Sequence, residues 1–262
     1  MATSLYLDAF SGISGDMFIG ALLDLGLDFN EFKRRLALLN VPGYEINAKR
    51  VAHSSIYGTN FDTVLSVAGK DDAVVTAEEA QAHHHHEPHR HLSDIKQLIN
   101  QSKLSDLVKA HAIAVFTDIA QAEAKVHDRP LEAVHFHEVG ALDSIVDIVG
   151  AFVDLEMLDV TDVYCSEIAD GSGFIKVAHG IMPVPVPAVM QMRVGTTIPI
   201  RQETNIRTEL VTPTGMGIIK EIVTGFGPLP KDWEITGVGY GFGNRQIPQF
   251  NALRVLKCKK KR

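Results

Sequence analysis

Residues 4–27 read SLYLDAF, SGISGD and MFIGALLDLGL in succession, and this short run decides the fold class. From Ser4 to Phe10 apolar residues alternate with small or polar ones, the two-residue period of a strand. Gly12 and Gly15 then break the pattern, and from Met17 to Leu27 the apolar residues recur at helical spacing. The same sequence of strand, turn and helix returns along the chain. YEINAKRV and FDTVLSV read as strands, Asn30–Asn40 as a short helix and Leu104–Val126 as a long one, the latter with apolar residues at 107, 108, 112, 115, 116 and 119. Ser93 and Asp143 are the expected helix caps, and Asp143, Asp147 and Asp154 are expected off the apolar stripe of the helix that follows Asp143. Strands are expected in AVHFHEV, in VTDVYCSEIA and near both Trp233–Tyr240 and Asn251–Leu256. Further helices are expected from about residue 187 and at TPTG. Alternating strands and helices predict an α/β fold with a mixed or mostly parallel sheet, flanking helices and an interrupting mobile His-rich loop. The expected divisions are an N-terminal α/β unit over 1–68, a His-rich linker over 69–92, a main α/β region over 93–256 and a basic tail over 257–262.

The chain has 262 residues, 45% hydrophobic and 22% charged, a balance that suits a globular protein and excludes wholesale disorder. No apolar stretch approaches the roughly 18 to 20 residues of a membrane span, and the N-terminus lacks a signal peptide's basic flank. A soluble, cytoplasmic protein without a membrane partner is therefore expected. Two cysteines nearly a hundred residues apart, Cys165 and Cys258, supply neither a disulfide framework nor a Cys-type zinc site. The net charge of -7 understates the acidity of the body, because five of the last six residues are basic. Such a body repels phosphate backbones, so nucleic acid is not an expected partner.

Histidine is the compositional outlier. Six of the twelve lie at His83, His84, His85, His86, His89 and His91. Imidazoles are largely neutral at pH 7, and a dense run of them offers nitrogen ligands to Ni, Cu, Zn or Co. A solvated linker is the bland alternative. A second constellation lies in VHFHE, where His135 and His137 share one face of a strand and Glu138 takes the other. Asp143 and Asp147 follow four apart on a helix, so a mixed nitrogen and oxygen site is possible there, against the plainer reading of core histidines and a cap. His179 is a further candidate. Gly12 and Gly15 between strand and helix would leave backbone N–H groups for an anion, with Asp8 and Asp16 placed to hold Mg²⁺ beside a phosphate. Neither a dinucleotide fingerprint nor a Walker loop is present. GSG at 171–173, TPTG at 212–215 and GVGYGFGNR at 237–245 are similar loops, each unremarkable as a turn, and together they favour an extended anionic small molecule.

Taken in order, YLDAFSGISGDMFIGALLDLG, HRHLSDI, VHFHEVGALDSIVDIVG, GSGFIKVAHGIMPVPVP, ELVTPTGMGI, GYGFGNR and NALRV resemble the LarC family of nickel insertion proteins over almost the whole chain. The resemblance implies insertion of Ni²⁺ into pyridinium-3,5-bisthiocarboxylic acid mononucleotide, forming nickel–sulfur and nickel–carbon bonds with CTP and Mg²⁺ or Mn²⁺. The product is the nickel-pincer cofactor of lactate racemase. On this reading His83–His86, His89 and His91 bind metal, and Ser11, Gly12, Ser14, Gly15, Asp16, Gly171 and Gly173 hold the mononucleotide. His135, His137, Glu138 and Asp147 serve the proton or metal step. Expected partners are the precursor, the longer product of the same gene and the lactate racemase apoprotein, and a homo-oligomer is expected. Three differences from the family pattern stand out. This chain has PVPVPAV for PVPAPAT and TPTGMG for TPTGAA, and it stops at KCKKKR where relatives continue and carry CTP binding. The lysine run suggests the short product of a frameshifted reading frame. Competing classes are a non-enzymatic nickel metallochaperone or store and a metal-dependent phosphohydrolase.

Overall fold

The computed structural model describes residues 3–65, 90–136, 142–177 and 180–261. His83, His84, His85, His86, His89, His137, Glu138 and His179 lie outside the described residues.

The alternation at the start of the chain becomes β1 (Thr3–Asp8), an interior strand of a seven-stranded sheet. Its neighbours are β6 (Val160–Cys165), parallel, and β13 (Ala252–Lys260), antiparallel. Beyond β6 lies β11 (Gly225–Phe226), and beyond β13 lie β12 (Trp233–Phe242), β3 (Ile56–Leu65) and β2 (Tyr44–His53). The sheet is mixed, and it interleaves strands from the first 65 residues with strands from beyond residue 160. The period of two sends Leu5 and Leu7 into the main core, where both are wholly buried. Tyr6 points the other way and packs with Trp233, Leu256 and Cys258 in a smaller cluster built from strands. The thiols of Cys165 and Cys258 are free and buried, and burial pushes them up to about 12 and about 11, so neither is a ready thiolate.

The helices are α1 (Gly15–Asp24), α2 (Phe29–Leu36), α3 (Leu92–Gln101), α4 (Asp106–Val126), α5 (Leu142–Met157), α6 (Pro187–Met192) and α7 (Pro213–Ile222). Among the described residues none is long and apolar enough to cross a membrane. Helix α5 is the hub, in contact with α1, α2, α4, α7 and the sheet, and its middle is buried on every side. Asp154, expected off the apolar stripe, is therefore enclosed by protein, because a helix packed from several directions has no solvent face to offer it. Leu107, expected in the α4 core stripe, is 53% exposed.

The expected caps also shift. Helix α3 starts at Leu92, and the cap is His91 rather than Ser93. Asp94 lies three residues after His91, so its carboxylate accepts the His91 N–H (2.8 Å) while the His91 side chain accepts in return. Asp143 falls inside the first turn of α5, where its Oδ1 accepts the Ser144 N–H at 2.7 Å. VTDVYCSEIA divides into β6 and β7 (Ile168–Asp170), and β7 pairs in parallel with β10 (Ile200–Gln202) outside the main sheet. Most of the basic run belongs to the sheet: Lys257–Lys260 extend β13, and Lys260 Nζ lies 3.0 Å from Asp162 Oδ2 on β6.

Candidate functional site

The loop after β1 lies at the carboxyl ends of the parallel strands, where open α/β sheets bind their ligands. Its glycines face protein. Gly12 has φ +81°, and a Cβ there would overlap the Leu210 carbonyl. Ile13 N–H donates to that carbonyl (2.9 Å), and Thr212 N–H donates back to the Ile13 carbonyl (3.1 Å). Gly215, at the start of α7, likewise gives room to the Ile13 carbonyl. Gly171 is pressed against the Thr208 carbonyl, and Gly173 has φ +85° where the chain enters β8 (Phe174–Val177). The loops expected to cradle an anion thus cradle one another, which brings the starts of α1 and α7 together.

The start of α1 also meets α5. Gly15 leaves space for Asp147: a Cβ there would come within 2.6 Å of Asp147 Cβ and 2.8 Å of its Oδ2. The Asp147 carboxyl accepts the Asp16 backbone N–H, so the dipole end of α1 is served by the protein's own acid. Asp16 accepts from the Ser14 hydroxyl and, on Oδ2, from Asn244 Nδ2 (3.2 Å), whose Oδ1 accepts from Asn60 Nδ2 (2.7 Å). Loss of hydration raises the Asp16 carboxyl above its ordinary range, against the pull of the Ser14 hydroxyl. Asp147 is raised well above, first by burial and then by the negative charges of Asp16, Asp143 and Asp62. Crowded carboxylates of this kind favour whatever brings positive charge. Among the described residues no group of three or more His, Cys, Asp or Glu is arranged to hold a metal by itself. Asp8 belongs elsewhere, since it accepts from Arg254 Nε at 2.9 Å and from Nη2.

Beside Asp16 opens a cleft of about 570 Å³ between the β2–β3 turn and residues 243–251. Its lining includes His53, Ser54, Asn60, Asn244, Phe250 and Asn251, with His53 stacked on Phe242 at 4.3 Å. Ser11 is buried, with its hydroxyl at 3.5 Å from Asn251 Oδ1 on the floor of this region. Arg245 also lines the cleft, where it is held by Thr208 Oγ1 (2.9 Å), the Glu209 carbonyl (3.1 Å) and Glu209 Oε2 (2.8 Å).

His91 and His135, assigned from sequence to separate clusters, are brought opposite each other. Strands β4 (Arg90–His91) and β5 (His135–Phe136) form an antiparallel pair in which His91 is the register partner of His135. Phe136 packs edge-on against Phe116 in the core, which fixes the strand. Asn60, Asn244 and Asp170 were not anticipated. The sequence did carry a signal for Asp170, an acid closing an apolar strand just before GSG.

The nickel insertion protein family model matches residues 5–262. A pyridinium-3,5-bisthiocarboxylic acid mononucleotide nickel insertion protein of Lactiplantibacillus plantarum is 60% identical over 99% of this chain and 62% of its own length. Proteins of the same description from Acetivibrio thermocellus and Geobacillus kaustophilus are 48% and 43% identical, each over 96% of this chain and 59% of their own. The chain thus spans about three fifths of the length of the curated relatives it matches. No solved structure matches it. With the family model covering all but the first four residues, the chain belongs to the nickel insertion protein family.

Proposed function

We propose that this chain gathers Ni²⁺ and presents it to a pyridinium bisthiocarboxylate mononucleotide held beside Asp16 and Asp147, as part of nickel-pincer cofactor synthesis. The observation that carries the reading is the register pair His91–His135. It joins the last histidine of the dense run to VHFHE, and Phe136 is only six residue steps from Leu142 at the start of α5, a reach of about 20 Å at most. Captured nickel therefore has a short route from imidazoles to the carboxylate pocket. Thiocarboxylate sulfurs are softer ligands than imidazole, so hand-over to the precursor runs downhill.

The cleft has room for a mononucleotide, and its amides suit a heterocycle's polar edges and a ribose. Asp16 and Asp147 offer hard oxygen ligands, which suit Mg²⁺ or Mn²⁺ bound through one or two carboxylates with phosphates and water completing the shell. That cation supplies charge neutralisation of phosphate when bound. Ser11, Ser14 and the residues around Gly12, Gly15, Gly171 and Gly173 act here as the scaffold of the pocket floor. His135, His137 and Glu138 are the groups we assign to the proton lost from the ring carbon. Dependence on CTP and delivery to lactate racemase belong to the same reading, through its resemblance to the LarC family.

The test is an insertion assay on untagged protein with precursor, Ni²⁺, CTP and Mg²⁺, alongside calorimetric nickel titration. Cofactor formation that falls in the His135→Ala/His137→Ala double variant supports the reading; unchanged insertion in that variant removes the assigned step. Nickel binding with no turnover would leave a metallochaperone. Phosphate release from a generic ester without nickel would favour a hydrolase.

A further inference from the structure

Asp16 lies in the first turn of α1, the loop before it packs on the loop that opens α7, and one buried side chain outside the carboxylate pair holds that second loop. Asp170, at the end of β7, is fully buried. Its Oδ1 accepts three backbone N–H groups, from Gly171 (2.7 Å), Leu210 (3.0 Å) and Val211 (3.2 Å). Its own carbonyl accepts from Glu203 (2.7 Å), where β10 runs alongside. Leu210 is the link to the site. Its N–H is held by Asp170, and its carbonyl receives Ile13 N–H and fills the space left by Gly12. Ile13 is three residues from Asp16, and the Ile13 carbonyl is gripped in turn by Thr212 N–H. The Asp16 N–H then donates to the Asp147 carboxyl.

We propose that Asp170 is a positioning residue that sets the Asp16–Asp147 pair for a divalent cation, through the Leu210–Ile13 backbone link. The inference rests on the reading of those two carboxylates as cation ligands. A carboxylate is costly to bury, and here burial raises the Asp170 carboxyl above its ordinary range while the three N–H donors and the Arg193 charge pull against that rise. Oδ2 is buried without a hydrogen-bond partner, so the side chain is not a plain fit to its surroundings. Its three donors come from the loop after β7 and the loop that opens α7, and the second of these carries the Leu210–Ile13 link. An apolar side chain at this position would fill the volume and leave all three N–H groups without an acceptor.

The experiment uses the full chain with Mn²⁺ as probe, read by electron paramagnetic resonance titration, together with amide hydrogen exchange at Ile13, Leu210 and Val211. Asp170→Asn keeps an acceptor oxygen and the side chain's shape; Asp170→Ala removes the acceptor. Asp147→Asn reports on the underlying reading. For Asp170→Ala, Mn²⁺ affinity is expected to fall about tenfold or more, with accelerated exchange at all three amides and an unchanged far-ultraviolet spectrum, and Asp170→Asn is expected to recover part of both losses. Wild-type affinity and exchange in Asp170→Ala, while Asp147→Asn loses Mn²⁺, would overturn the inference and leave the reading of the pair standing. Wild-type protein that binds no Mn²⁺, or Asp147→Asn that binds normally, would remove that reading, and the inference with it. Failure of both Asp170 variants to fold would also overturn it, since Asp170 would then be a residue of the fold rather than of the site.

Discussion

The carboxyl of Asp147 accepts the backbone N–H of Asp16, and the bare Cα of Gly15 is what lets the two come together. Two acids from different helices thus share the dipole end of α1. Burial first, and then the negative charges of Asp16, Asp143 and Asp62, hold the Asp147 carboxyl well above its ordinary range.

Replacing Asp147 with Asn should separate binding from stability. Asn cannot take up a buried negative charge beside Asp16, Asp143 and Asp62, so the metal-free protein is expected to gain about 1 kcal/mol in chemical denaturation at neutral pH. On the proposed reading the same change removes a cation ligand, and Mn²⁺ affinity is expected to drop at least tenfold by resonance titration. A variant that binds as before would show that the carboxyl takes no part in cation binding.

Asp154 yields a pH prediction. Both of its oxygens are buried without a partner, and burial alone raises its carboxyl well above the ordinary range. The folded state therefore holds a proton that the unfolded chain gives up once pH passes the ordinary aspartate value. Its contribution to stability is fully present below that value and declines as pH rises toward the raised folded-state value. Urea midpoints measured at pH 5 and pH 8 should fall with pH in the wild type and fall less in Asp154→Val. At pH 7 the variant is expected to be more stable by about 1–2 kcal/mol, since it replaces an unpaired polar group with apolar volume. Equal slopes would mean that Asp154 has a partner in solution.

Gly12 and Gly26 separate backbone strain from close approach. Both have positive φ, +81° and +101°, but a Cβ at Gly26 meets nothing within 4 Å while one at Gly12 overlaps the Leu210 carbonyl. Gly26→Ala is expected to cost about 1 kcal/mol and Gly12→Ala about 3 kcal/mol or more, the difference being steric. Thermal denaturation of the two variants checks it, and similar losses would count against the packing of loop on loop.

Among the six clustered histidines, His91 is expected to behave differently. It caps α3 in a reciprocal arrangement with Asp94, so His91→Ala should cost about 1 kcal/mol of stability. Replacing His83–His86 and His89 while keeping His91 should lower nickel stoichiometry and leave the unfolding midpoint unmoved. Calorimetric titration and thermal unfolding on the same samples test both halves. Unaltered stoichiometry would remove the run from nickel capture.

The sequence by itself determined the α/β class, the strand–loop–helix order at Ser4–Leu27 and the wealth of nitrogen ligands, because periodicity, glycine breaks and ligand density are local properties of a chain. Family membership was legible for a related reason, since its blocks are long and ordered. Tertiary structure decided what those elements meet. The glycines at 12, 15 and 171 looked like phosphate cradles, yet their empty sides are taken by Leu210, Asp147 and Thr208. Asp154 looked solvent-facing until α5 was surrounded, and nothing singled out Asp170 until segments 40 residues apart converged on its carboxylate. His91 and His135 became partners only through strand register. A sequence states which side of an element is apolar, but which backbone carbonyl or carboxylate fills a given space depends on contacts between distant segments. Those contacts exist only once the chain has packed.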